Sequence, residues 1–241
     1  MAPRRPDPHP SRHRDASAQV FVADLADPVL HPDDLHHLGR VLRLRRGEAV
    51  AAADGVGSFR PCRFTGDATL EPAGDTIATD RPEPALAVGF APVKGDRPEL
   101  VVQKLTELGI DRIVVFGAAR SVVRWDGERA DRHVERLRRV AREAAQQCRR
   151  LWLPTVERST LGDLRDAGAV LADAGGRTPR STDRLVLVGP EGGWSDQERH
   201  GVGTVALGEH VLRAETAAIA AGVVMAALRA GLLTSDLPHS G

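Results

Sequence analysis

Cysteine is scarce in this chain. The two that occur, Cys62 and Cys148, have no C-x-x-C spacing, and the histidines do not cluster, which excludes a disulfide framework, argues against a structural zinc site and suits a reducing cytoplasm. Lysine is nearly missing: Lys94 and Lys104 stand against 31 arginines. Because formal net charge is still zero, the arginine bias reads as a coding preference, and charge becomes informative only where arginines crowd. No apolar segment opens the chain as a signal peptide would. The longest apolar helix candidate, residues 217–233, is alanine-rich and broken by Arg229, so no membrane span is expected. Two phosphate-binding fingerprints are absent as well. The glycine cluster GPEGG at residues 189–193 fits neither G-x-G-x-x-G nor G-x-x-x-x-G-K-[ST].

What is present, 241 residues with 41% hydrophobic content, can bury a core and allows two modest domains. The opening MAPRRPDPHPSR has nothing to bury, so residues 1–18 are expected to be a disordered tail. From Gln19 the runs QVFVADL, EAVAAADG, SFRPCRF and ATLEPAG are short, apolar-bearing and punctuated by turn residues. They predict a small all-β barrel or sandwich over residues 19–78. Between the first two lies LHHLGRVLRLRRG. It reads either as a helical turn and a strand with a solvated basic face, or as a phosphate-binding edge. Arg40, Arg43, Arg45 and Arg46 crowd together without an acidic neighbour, which favours the second and makes RNA the expected partner.

The proline-bearing connector ATDRPEPA leads into a second domain, residues 85–234, where strand and helix patterns alternate. LAVGFAPV is apolar on both faces, as a buried parallel strand would be. DRPELVVQKLTELG predicts a helix with Asp96 as N-cap, Glu99 three residues later and Gly109 past its end. Lys104 sits on its apolar side, where it needs a partner, and Glu107 is near enough to be one. IVVF is the next strand, followed by a loop with Arg120 and Arg124. Residues 132–151 then predict a long amphipathic helix, with Leu137, Ala141 and Cys148 on the apolar side and Arg139, Gln147 and Arg150 on the polar side. Cys148 is expected in the core and not as a nucleophile. Strands follow at VLADA, RLVLVG and TVALG, and a last helix from Glu215 to about Ala230. The larger domain is therefore α/β.

The stretch VLVGPEGGWSDQE, residues 186–198, drives an apolar strand into a glycine turn, the place where parallel sheets bind ligands. It also fits a plain tight turn capped by Ser195 and Asp196 before a short helix. TVALGEHVLRAETAAIAAG then repeats strand, glycine, short loop and small-residue helix, so that two loops can flank one ligand. VGPEGGWSDQE followed by LGEHVLRAETAAIAA resembles the paired motif of the RsmE-type 16S rRNA uracil-N3 methyltransferases of the SPOUT superfamily. KGDRPELVVQKLTELGID, EAAQQCRRLWLP, HHLGRVLRLRRGE and ADGVG resemble further segments of that family, in its order, so that the likeness runs from about Val20 to Leu232. The amino-terminal tail departs from the family's start, and no role is assigned to Arg12 or Arg14.

The resemblance implies a PUA-like RNA-binding β-domain, then a SPOUT domain with a C-terminal trefoil knot, a homodimer completing each site, and S-adenosylmethionine as cofactor without metal. By position in the motifs it implies Leu187, Val188, Gly189 and Gly192 for one wall of the cofactor pocket. Leu207, Gly208, Val211 and Leu212 would form the other. Methylating N3 requires alignment of the methyl, acceptance of a proton and stabilisation of charge on the flanking oxygens. Arg150 and Arg213 are the expected charge stabilisers and Glu191 or Glu143 the proton acceptor. The substrate would be 16S rRNA or the small ribosomal subunit. A ribose 2′-O-methyltransferase of the same superfamily and a non-catalytic ribosome-assembly factor remain alternatives.

Overall fold

The computed structural model describes residues 13–93, 95, 97–123, 125 and 127–234. The N-cap expected at Asp96, Lys94, Arg124 and the tail as far as Arg12 lie outside them. Two compact units emerge: residues up to Arg81 together with Ala145–Leu153, and Pro82–Ala144 together with residues from Pro154 onward.

The first unit is built on a sheet of β1 (Ala18–Phe21), β2 (Ala49–Ala53), β3 (Ser58–Phe64), β4 (Leu70–Pro72) and β5 (Ile77–Ala78). β1 runs parallel to β2, and β2, β3 and β4 follow antiparallel, with β5 also on β3. Among the described residues no ladder joins β1 to β4. Both faces are covered, which explains why β2 reads AVAAA rather than alternating with polar residues. Val50 and Ala52 pack with Leu38, Cys62 and Phe64, whereas Ala51 and Ala53 pack with Phe59, Ala145 and Leu151. Burial pushes the Cys62 thiol up, and Arg60 and the Ala52 backbone offset this only in part.

The arginine-rich stretch contains no strand. Helix α1 (Pro32–His36) continues into one π-helical turn, His37–Val41. Arg43 follows in a left-handed conformation, φ 53°, while Leu38 and Leu44 anchor the segment in the core.

The second unit holds a six-stranded sheet in the order β11 (Thr204–Val205), β9 (Val170–Arg177), β10 (Leu185–Val188), β6 (Ala87–Phe90), β7 (Arg112–Phe116) and β8 (Thr155–Ser159). Every ladder is parallel. Helices cover both faces, so the central strands β10, β6 and β7 are almost wholly apolar. Alternate residues of β10 divide between the layers: Val186 and Val188 join the core with α2 (Arg97–Glu107), α3 (Gly127–Gln147) and α6 (Ala214–Arg229), whereas Leu185 and Leu187 face α4 (Leu161–Asp166) and Trp194. Lys104 finds Glu107 at 2.9 Å, as expected. Arg229 joins α6 to the sheet, donating to buried Asp111 at 2.7 Å and to the Gly109 carbonyl at 2.8 Å.

The long helix differs from its expected span. It starts at Gly127 and ends at Gln147, because Arg149 turns left-handed at φ 60° and the Arg150 N–H reaches back to the Ala145 carbonyl at 2.9 Å. Arg150 and Leu151 therefore lie beyond the helix, and Cys148 is half-buried. The residues after this turn are bound into the first unit. Gln19 donates to the Arg150 carbonyl at 2.8 Å, and the Leu153 N–H donates to Gly55 at 2.9 Å. Gly57, φ 101°, is required because a Cβ there would strike the Trp152 indole. Strand β8 and α4 fall where no element was expected.

No helix among the described residues is long and apolar enough to cross a membrane.

Candidate functional site

At the carboxyl edge of the parallel sheet, where β10 and β11 end beside the middle of β9, the chain forms a cup of about 630 Å³. One wall is the turn after β10. Its conformation rests on Gly193, φ 69°, and on helix α5 (Asp196–Arg199) with a full capping box: Ser195 accepts from the Glu198 N–H, and the Glu198 carboxylate accepts from the Ser195 N–H and hydroxyl. The plain capped turn expected of this stretch is thus present, and it forms one wall of the cup. Glu198, 8% exposed, also accepts from the Ala119 N–H at 2.8 Å. Burial alone would raise its pKa, but these hydrogen bonds and the charge of Arg120 more than offset it, and the carboxyl lies below its ordinary value.

The opposite wall is the loop from Leu207 to Arg213, which leads into α6. Val211 is 92% exposed, and Gly208 has nothing within 4 Å of where a Cβ would stand. The N-cap position of α6, Arg213, gives no side-chain cap, so the first-turn N–H groups remain available to a ligand.

Of the residues expected to hold a cofactor, Val188, Gly189, Leu207, Gly208, Val211 and Leu212 line the cup. Leu187 and Gly192 do not. Leu187 is fully buried on the far face of β10, against Trp194 and its neighbours, and a Cβ on Gly192 would meet Arg120. Gly189 has a structural role besides, since a Cβ there would stand 2.9 Å from the Trp194 indole.

Glu191 and Arg213 also line the cup. Glu191 is held by Arg97 at 2.9 Å, and the same guanidinium stands 3.7 Å from Glu215. Arg199 pairs with Asp173 across the cup at 3.2 Å. Arg213 is exposed and makes no ion pair among the described residues, which leaves it as the lining arginine with free charge. Arg150 and Glu143 are not among the lining residues; Arg150 belongs to the first unit, and Glu143 is exposed on α3. Sequence reasoning missed Arg97, Asp173, Arg199 and Trp194. The available signal was Trp194 itself, next to GPEGG.

In the first unit, Arg40, Arg43, Arg45 and Arg46 are all exposed, and none forms an ion pair with a described residue. The π-turn and the left-handed Arg43 display them around the anchored Leu38 and Leu44.

Residues 81–226 match the family model described as the RNA methyltransferase domain, and residues 30–68 match the RNA methyltransferase PUA domain. The ribosomal RNA small subunit methyltransferase E of Mycobacterium tuberculosis is 33% identical, covering 90% of this chain and 93% of that one. The chain belongs to the methyltransferase E family. Its Bacillus subtilis relative of the same name is 28% identical, over 77% of this chain and 84% of the relative. Among solved structures, a Legionella pneumophila protein described as a methyltransferase, with bound cofactor SAM, superposes with a TM-score of 0.76. It is 28% identical, and the match covers 87% of this chain and 96% of that one. The architecture is thus the α/β methyltransferase fold of this family with a PUA-like domain before it.

Proposed function

We propose that this chain methylates N3 of a uridine in 16S rRNA of the small ribosomal subunit, in the cytoplasm, using S-adenosylmethionine. The observation that carries the reading is the cup between two glycine-bearing loops at the carboxyl edge of the sheet, in a chain of an RNA methyltransferase family. The residues fit the cofactor. Val188, Leu207, Val211 and Leu212 suit an adenine, the Gly208 backbone allows close approach, and the uncapped first turn of α6 suits a carboxylate.

When bound, S-adenosylmethionine supplies an electrophilic methyl group on a sulfonium. The protein's own residues do the rest. Arg213 at the rim stabilises the charge that spreads onto the uracil oxygens, and Glu191, oriented by Arg97, accepts the N3 proton. Arg40, Arg43, Arg45 and Arg46 hold RNA phosphates. We further read the segment from β10 to α6 as a trefoil knot and the protein as a homodimer. The small residues of α6 and the exposed Leu100 and Val223 on α2 and α6 support the pairing.

Calorimetric titration with S-adenosylhomocysteine tests the cup. One site per chain is expected, and absence of heat at several temperatures would leave only an RNA-binding protein.

A further inference from the structure

A second cavity, about 330 Å³, opens at the same carboxyl edge, beyond β6, β7 and β8. It lies within the second unit and shares no lining residue with the cup. Its volume is at the low end of the roughly 300–1,000 Å³ typical of ligand pockets. The walls combine two chemistries. Phe116 and Trp125 are aromatic, whereas Ser121, Arg158 and Ser159 are polar. The Trp125 ring is already ordered by stacking on His133, with centroids 4.4 Å apart and planes 10° from parallel, so little side-chain entropy remains to be lost on binding. Ser121 accepts a hydrogen bond from the Ala118 N–H at 3.1 Å, which leaves its hydroxyl proton to be donated.

The two cavities are connected through a common partition. Phe116 of the second cavity stacks on Trp194 of the cup, with centroids 5.9 Å apart and planes 2° from parallel. The loop after β7, which lines the second cavity, is tied to the cup's glycine turn by Arg120 donating to the Gly192 carbonyl at 3.2 Å and by the Ala119 N–H to Glu198. β10, at the cup, is separated from β7 only by β6, or about 10 Å at roughly 4.8 Å per strand.

Resting on the proposed RNA substrate, we propose that the second cavity takes a nucleotide flanking the modified one, its base against the Trp125 wall and its phosphate on Arg158. Aromatic surface with an arginine and hydroxyl donors is the recognition chemistry of a single-stranded nucleotide. Arg158 is suited to it because its present partner, Asp131, is an exposed one at 3.4 Å, easily exchanged for a phosphate.

The test measures affinity of the full-length protein for a fluorescent, unmodified small-subunit RNA fragment, by anisotropy, for the parent, Trp125→Ala, Trp125→Phe and Arg158→Ala. Trp125→Ala and Arg158→Ala are each expected to weaken RNA binding on the order of tenfold. Trp125→Phe should recover most of the loss, and S-adenosylhomocysteine affinity should stay constant. A merely structural role for Trp125 would lower cofactor affinity too and would leave Arg158→Ala silent. RNA affinity within twofold of the parent in both Trp125→Ala and Arg158→Ala would overturn the proposal. Methyl transfer by the parent is measured in parallel. Transfer with unmoved RNA affinities defeats the second cavity alone. No transfer, with affinities that fall as expected, defeats the methylation reading and leaves the nucleotide pocket standing.

Discussion

Gly208 shows most simply how one residue serves the cup. Its backbone lies on the cavity, and no protein atom stands within 4 Å of a Cβ position, so a larger side chain would enter the ligand space and not the core. Gly208→Val is expected to fold normally and to lose on the order of tenfold or more in S-adenosylhomocysteine affinity; unchanged affinity would remove Gly208 from the site. Glu198 is the structural counterpart. Its folded pKa lies below its unfolded one, so its contribution is present above the ordinary carboxylate range and is lost as pH falls through the folded value. Glu198→Gln should cost on the order of 2 kcal/mol at neutral pH and flatten the acid limb of a stability profile from urea unfolding; an unaltered acid limb would mean that its hydrogen bonds contribute nothing. At this scale six of the eight residues expected to hold the cofactor line the cup. Leu187 does not line it because adjacent strand residues face opposite layers, and Gly192 does not because it faces Arg120. Arg97 and Asp173 were not legible, since their partners, Glu191 and Arg199, are far away in sequence.

Among the elements, α6 adds a buried ion pair at its end to its core packing. Asp111 is 2% exposed, accepts from the Leu86 N–H and pairs with Arg229 at 2.7 Å. Removing Arg229 breaks a buried ion pair, so Arg229→Ala should destabilise the protein by about 3–5 kcal/mol, read from urea denaturation. A loss below about 1 kcal/mol would show that Asp111 is compensated otherwise. The central parallel strands and α2 were readable because burial on both faces and a glycine stop leave strong local patterns. The end of α3 was not. Apolar spacing continues through Cys148 and Leu151 although the backbone turns at Arg149, so periodicity ran past the true stop. Strand β8 was missed for the opposite reason: TVERS has one buried residue, Val156, and gives almost no apolar signal.

For the molecule as a whole, binding and chemistry are expected to separate. On the proposed reading the exposed arginines of the first unit hold RNA phosphates, each contact releasing counterions. Replacing Arg43 and Arg45 by Gln should weaken RNA binding and reduce its log–log salt slope by roughly 1 to 2, with cofactor affinity constant; an unchanged slope would place the phosphates elsewhere. Light scattering at micromolar concentration should give a dimer mass, and a monomer would contradict the pairing. Composition and punctuation indicated two domains, yet the return of Ala145–Leu153 to the first unit was hidden, because a contact between segments so distant in sequence leaves no local pattern.

The most direct test of the central claim is nucleoside mass spectrometry of 16S rRNA after incubation of this protein and S-adenosylmethionine with small subunits that lack the modification. The account predicts one new N3-methyluridine, dependent on the cofactor and diminished in Arg213→Ala. A methyl group on a ribose, or none on the RNA while the protein binds both ligands, would contradict it.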